Sequence, residues 1–278
     1  MANIVKKIKD EITLENVLTL AIKAPGVKIK RDVFLRKELI RYCQEDVINE
    51  AIKYNPAKAG IFKSVINKVA KAVISYETKK VSGLSVAASL PSSINALAAV
   101  GSASVDITSY FAHIFRVVQE LAYLYGFQQF DLNEDNIDSE TMGFLMVFLG
   151  VMFGVQGAAS TLNKLADTVA KHVAKKLAQT ALTKGTIYPI VKQIATKIGI
   201  HMTKQVFADT VASAIPIVGS VASGGLTWVM FKPCCKKLQK NLMTYNLCDP
   251  DFYRMVVDVE AADVQDEQIS ELNGSVSE

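Results

Sequence analysis

Three long stretches of this chain carry no ionisable side chain: residues 81–105, 141–163 and 210–231. Backbone leaving water over such lengths must satisfy its own N–H and C=O groups, and a helix does so within one segment. Val81 to Val105 is long enough to cross a bilayer, but it is built from Ala, Ser, Gly and Leu, and Pro91 divides it. That proline is expected to open a long helix running from about Ser93 to Tyr125. In the second stretch the densely apolar part is only about fourteen residues, a length suited to a buried or interfacial helix. The third is diluted by Pro216, Gly219, Gly224 and Gly225. Both are read as core helices first and as shallow membrane inserts second.

The expected class is all-α, a multi-helix bundle with a buried long central helix and glycine-rich apolar helices. Only 7 prolines and 15 glycines in 278 residues leave few turns for a many-stranded β protein. Half the residues are hydrophobic and 21% are charged, which excludes a disordered chain. Apolar residues recur at helical spacing from Val33 through Leu35, Leu39, Ile40, Val47, Ile48, Ala51 and Ile52, until Asn55-Pro56 stops the run. A basic helix is expected from about Ala57 to Lys80, with Ile61, Val65, Val69 and Val73 every four residues and Lys63, Lys68, Lys71, Lys79 and Lys80 supplying charge. Such a surface could meet anionic lipid or simply face water. A further pair of basic amphipathic helices flanks Lys184-Gly185. The first sets Leu162, Leu165, Val169, Val173 and Leu177 beside Lys164, Lys171 and Lys175. The second sets Ile187, Ile190, Ile194 and Ile198 beside Lys192, Lys197 and Lys204.

Net charge is +4, from 31 Lys+Arg and 27 Asp+Glu, too small for a supercharged nucleic-acid binder. Its distribution suggests three regions: a basic helical N-terminal part (1–80), a helical core (81–248) and an acidic tail (249–278), holding 17 and 9, 13 and 9, and 1 and 9 basic and acidic residues. No apolar signal precedes a cleavage site, position 2 is Ala rather than the Gly of a myristoylated chain, and Cys43, Cys234, Cys235 and Cys248 form no disulfide or zinc spacing. A reducing, cytoplasmic setting is expected. Cys234 and Cys235, beside Lys232, Lys236, Lys237 and Lys240, could be acylated or be ordinary thiols.

Small residues mark close helix contacts. Gly150 and Gly154 form a G-x-x-x-G step and Ser220 with Gly224 repeats it, so Gly150, Gly154, Gly219, Gly224 and Gly225 are expected to pack helices together.

The strongest candidate for chemistry is a polar seam on the long helix. Ser102, Asp106, Ser109, His113, Arg116 and Glu120 follow one another by four, three, four, three and four residues, which places all of them on one stripe. Apolar residues surround them, so the seam needs partners on another helix. An internal ion-pair network with Arg116 and Glu120 as its i,i+4 pair is the first reading. Three others stand beside it: a hydrolase, with Asp106, Ser109 and His113 as triad types or built on Asp106, His113 and Glu120; a metal site of Asp106, His113 and Glu120 closed by His172 or His201; and a ligand-gating polar site. A triad along a single helix converges poorly on a carbonyl, and no G-x-S-x-G or H-E-x-x-H is present. Asp131, Asn133 and Asp135 begin like a calcium loop, but Asn136 replaces the glycine and Met142 the bidentate Glu, so Asp138 or Ser139 is read as a helix cap instead. No nucleotide or zinc motif occurs, and no metal or cofactor is expected.

Between about Val81 and Lys240 the chain carries Gly83-Leu84 and Leu90-Pro91, Asp106 and Arg116, Leu124-Tyr125-Gly126-Phe127, and Ala214-Ile215-Pro216-Ile217-Val218-Gly219 followed by Gly224-Gly225. On these residues it resembles the EcsC family of bacterial proteins, named for a gene beside an ABC-type exporter. Ser82, Ser85 and Ala87 to Ser89 stand where such proteins have more glycine. The resemblance implies an all-helical, membrane-associated or cytoplasmic protein without assigned catalytic residues, in an export or secretion context.

The expectation is therefore a non-enzymatic accessory protein held peripherally at the inner face of a membrane. Its partner would be the lipid surface or a membrane protein, not nucleic acid. Contact candidates are Lys164, Lys171, Lys175, Lys192, Lys197, Lys204, Phe148, Phe153 and Trp228. The alternatives are a membrane-inserting permeabilising effector and a hydrolase built on the seam. No oligomeric state is implied.

Overall fold

A long buried helix organises the chain, and the other helices are laid around it. The computed structural model describes residues 14–82, 102–130, 132, 139–174 and 224–255, and all of its regular structure there is helical. In chain order the elements are α1 (Leu14–Lys23), α2 (Arg31–Leu39), α3 (Glu45–Lys53), α4 (Lys63–Ser82), α5 (Ser102–Leu124), α6 (Ser139–Phe153), α7 (Ala158–Ala174) and α8 (Gly224–Leu242). A 3-10 turn at Asn246–Cys248 and a helical turn at 250–255 follow. Among the described residues no helix is long and apolar enough to cross a membrane.

α5 is the axis, with α1, α2, α4, α6 and α8 all packed on it. Phe111, Ile114, Phe115, Val117, Val118, Leu121 and Ala122 are fully buried, covering more of its circumference than one stripe, as a central helix requires. The helix ends where Gly126 takes the left-handed conformation (φ 99°). Phe127 N–H then bonds Ala122 O (2.9 Å) and Gly126 N–H bonds Tyr123 O (3.3 Å), closing the terminal carbonyls in a Schellman motif. Only glycine fits, because a Cβ there would lie 2.9 Å from Leu247 O and 3.1 Å from Asn55 Nδ2.

Several expectations hold and several are corrected. In α7 the stripe Leu162, Leu165, Val169 and Val173 is buried as its spacing predicts. α6 is a core helix, with Phe148 against Phe127 (5.1 Å between ring centroids) and Phe130 (5.6 Å), and Phe153 against Phe111 (6.3 Å). Phe148 and Phe153, named as membrane contacts, are therefore interior residues. Gly154 is no packing step. It is exposed, with φ 83°, and ends α6 in a second Schellman motif through Val155 N–H and Gly150 O. Gly150 is buried within α6 and Gly224 and Gly225 start α8, whereas Gly219 falls outside the described residues.

The run from Val33 to Ile52 is two helices. Tyr42 and Cys43 N–H groups both bond Leu39 O and the chain turns there, leaving Ile40 exposed, while Val33 lies off the face of α2 that buries Phe34, Leu35 and Leu39. The basic helix begins at Lys63 rather than near Ala57, after a turn over 56–60. α4 runs through residue 80, and α1, α2 and α4 pack directly on α5. The acidic segment is anchored at its start: Tyr253 is buried and its hydroxyl meets Asn55 Nδ2 (2.8 Å), while Asp249 pairs with Lys63 (2.9 Å). The expected start of the long helix (93–101), residues 133–138 of the calcium-like run and the second expected basic helix around Ile187 to Ile198 fall outside the described residues.

Candidate functional site

The seam on α5 meets α4 and the α1–α2 loop, and the residue that completes it is Glu77. This carboxylate is fully buried on α4. Its Oε2 lies 2.9 Å from His113 Nδ1, and its Oε1 accepts from Arg116 Nε at 3.4 Å and faces Lys80 Nζ at 3.6 Å. Arg116 reaches three ways: to Glu77, to Glu120 Oε1 (3.5 Å) one turn further along α5, and to the backbone oxygen of Gly26 in the α1–α2 loop. Arg116 and Glu120 are thus the i,i+4 pair expected from spacing, and His113 is paired with Glu77 across the helix interface.

The two carboxyl groups sit in opposite electrostatic settings. Burial pushes Glu77 up, but the His113 hydrogen bond and the charges of Arg116 and Lys80 outweigh it, and its carboxyl stays below the usual range. Burial, with the Glu77 charge as the next contribution, pushes Glu120 up to about 8 against the pull of Arg116. Near neutral pH the cluster therefore holds a carboxylate at Glu77 and a proton on Glu120. Glu120 Oε2 is buried without a hydrogen-bond partner among the described residues, which is tolerable for a neutral carboxyl and poor for an anion.

Other polar side chains stitch the same loop to α5. Gln119 accepts from Ile29 N–H (3.1 Å) and donates to Val27 O (2.8 Å) and Phe115 O (2.9 Å). Gln129 Oε1 accepts from Arg31 N–H at 3.1 Å. Arg31 is buried without a carboxylate; its guanidinium donates to Phe127 O, Ile52 O, Ala51 O and Tyr54 O, caging the C-terminal carbonyls of α3. Burial lowers Arg31 to about 10, so it stays charged and works as a buried helix cap. A cleft of about 380 Å³ opens beside this loop, bounded by Lys28, Lys30, Asp32, Gln119 and Gln129, away from His113.

Of the seam residues, Ser109, His113, Arg116 and Glu120 are placed together, Ser109 buried one turn before His113. The side chains of Ser102 and Asp106 lie outside the described part. His113 Nδ1 is engaged by Glu77, and no group of three metal-binding side chains occurs among the described residues. Cys235 is buried and its thiol pushed well up by burial, the opposite of a reactive or accessible group. Lys164 and Lys171 are exposed on α7, while Lys175, Lys192, Lys197, Lys204 and the Trp228 side chain are not described. Glu77 was hidden within a helix read by its lysines, although the four-residue repeat through Val73 leads directly to position 77. Nothing in the pattern marks Arg31, since its partners are backbone carbonyls.

No protein-family model, curated protein or solved structure matches this chain.

Proposed function

We propose that this chain is a non-enzymatic helical protein that binds the anionic inner surface of a bacterial membrane peripherally and serves transport, secretion or envelope function there as an accessory factor. The observation that carries the reading is the outer face of α4. Lys68, Lys71 and Lys79 are exposed and have no carboxylate partner among the described residues, while the helix's own acidic residue, Glu77, is turned into the core. Tyr76 is 56% exposed beside them, and Phe62, 65% exposed, precedes the helix. α8, packed alongside, exposes Lys236, Lys237 and Lys240 and contains no acidic residue. Lysines near an anionic leaflet contribute about 1 kcal/mol each, and their stems and aromatic rings favour the interfacial layer. The resemblance of residues 81–240 to EcsC-type proteins supplies the transport context.

The test is co-sedimentation of the full chain with phosphatidylglycerol–phosphatidylcholine vesicles and with phosphatidylcholine alone. Binding to the anionic vesicles only, released by salt, is expected, and replacing Lys68, Lys71 and Lys79 by Gln should weaken it by about a hundredfold. Equal binding to both vesicles, or an unaffected triple variant, overturns the proposal. Release of entrapped dye would replace it with a permeabilising activity.

A further inference from the structure

The lysine face of α4 and the acidic C-terminal segment carry opposite charge, and the fold places the start of that acidic region beside the same helix through Asp249 and Lys63. Residues 256–278 contain 7 Asp+Glu and no Lys or Arg. On the other side, Lys68, Lys71 and Lys79 lack ion partners among the described residues. A fixed anchor delivers the chain to the start of α4, about 140° around the helix from Lys68, so the segment has to pass around α4 to reach the lysine face. Asp249 pairs with Lys63 in the first turn of α4 (2.9 Å), and Tyr253 is held by Asn55 and Leu247 O, so residue 255 stands roughly 10 Å of helical rise beyond a contact with α4. The lysines are spread over about 25 Å of helix from that point. An extended segment of the length of 256–278 spans up to about 75 Å, three times what is needed.

We infer that the acidic segment 256–278 docks on the lysine face of α4 and competes with anionic lipid for it, so that the protein carries its own occupant for the surface it presents to a membrane. The inference rests on the lipid-surface reading above and deepens it. The Asp249–Lys63 pair brings the acidic region to α4, and the length of the segment lets it pass around the helix to Lys68, Lys71 and Lys79. The competition is electrostatic on both sides, since the same ammonium groups that would meet headgroup phosphates meet carboxylates instead.

Two measurements on the full chain test this. Carbodiimide coupling joins carboxylates to amines only in direct contact, and peptide mapping should find Asp263, Asp266, Glu267 or Glu271 linked within one chain to Lys68, Lys71 or Lys79. Phosphatidylglycerol vesicles should suppress those links and phosphatidylcholine vesicles should not. In parallel, the full chain carrying Asp263→Asn, Asp266→Asn, Glu267→Gln and Glu271→Gln should bind anionic vesicles at least about fivefold more tightly at low salt, the worth of one lysine freed for the surface. Absence of the intramolecular links overturns the docking, and links without any gain in vesicle affinity overturn the competition. Links that form normally while neither protein binds anionic vesicles would uphold the docking and overturn the membrane reading, so the two failures are distinguishable.

Discussion

Replacing Glu120 by Gln should stabilise the protein above neutral pH and remove most of a pH dependence that the wild type shows. The Glu120 carboxyl has an ordinary value of 4.5 and is pushed up to about 8 in the fold by burial and by the Glu77 charge. Between those values the folded chain holds a proton that the unfolded chain has released. Stability is therefore fully present below about pH 4.5, falls as pH rises, and levels off once the folded carboxyl ionises near pH 8. The difference of 8 − 4.5 = 3.5 units sets a ceiling of about 5 kcal/mol, with a slope no steeper than about 1.4 kcal/mol per unit. Glu77, shifted the other way, adds stability above its ordinary value that is lost as pH falls through its lowered one, so it does not shape the window above about pH 5. Gln keeps the shape and the acceptor for Arg116 Nη2 but does not titrate. Urea unfolding of both proteins between about pH 5 and pH 9 gives the difference curve directly. Near the acid end the variant should be equal or slightly less stable, and by the alkaline end more stable by a few kcal/mol. A flat difference curve, or one that falls with pH, would refute the assignment of a buried proton to Glu120.

The remaining predictions follow from the same contacts. Glu77→Gln leaves Arg116 without its carboxylate and should destabilise by about 2–4 kcal/mol in urea melts, and it should shrink the pH swing of Glu120 by removing the like charge that helps raise it. Gly126→Ala combines a left-handed backbone with a Cβ 2.9 Å from Leu247 O and should cost about 3 kcal/mol. Gly154→Ala, at φ 83° but facing only the movable Lys237 ammonium, should cost about 1 kcal/mol, a contrast that thermal melts resolve. Arg31→Lys cannot span four carbonyls and should lose about 2–3 kcal/mol, with faster hydrogen exchange at the end of α3.

What the sequence discloses and what it hides differ for a physical reason. The α7 stripe and the Arg116–Glu120 pair depend on periodicity within one helix, and the burial of α6 on an unbroken apolar run; both patterns are written in the chain. The turn at 40–43 is not, because Leu39 and Ile40 both look apolar and only the hydrogen bonds to Leu39 O decide that one is buried and the other exposed. Phe148 and Phe153 look the same whether they meet lipid or Phe127, Phe130 and Phe111, and packing against α5 selects the second. Gly154 reads as a small residue inside a helix until its positive φ shows that the helix has ended. Glu77 is the instructive omission. It stands among five lysines, and charge counting assigns such a helix to solvent, yet its position in the four-residue repeat places it on the inner face.

α4 therefore separates its charges by face, with one carboxylate turned inward and three lysines turned outward. Glu77 faces inward, where it balances Arg116 and is hydrogen-bonded to His113 in a core that cannot tolerate an isolated ion. Lys68, Lys71 and Lys79 face outward, where their mutual repulsion is screened within a Debye length of about 8 Å and costs the fold little. Substituting them should leave unfolding free energy within about 0.5 kcal/mol of the wild type while changing what the surface attracts. Lys80 is the residue at which the faces join, since its ammonium lies 3.6 Å from Glu77 Oε1 and 4.4 Å from the centroid of the exposed Tyr76 ring. An anion that drew Lys80 outward would withdraw one of the charges holding Glu77 ionised, and the buried network would register it as a rise in the Glu77 carboxyl value. Lys80→Gln should therefore perturb both surface binding and the acid limb of stability, whereas Lys68→Gln perturbs the first alone. A double-mutant cycle pairing each with Glu77→Gln reads the distinction as a coupling energy, present for Lys80 and absent for Lys68.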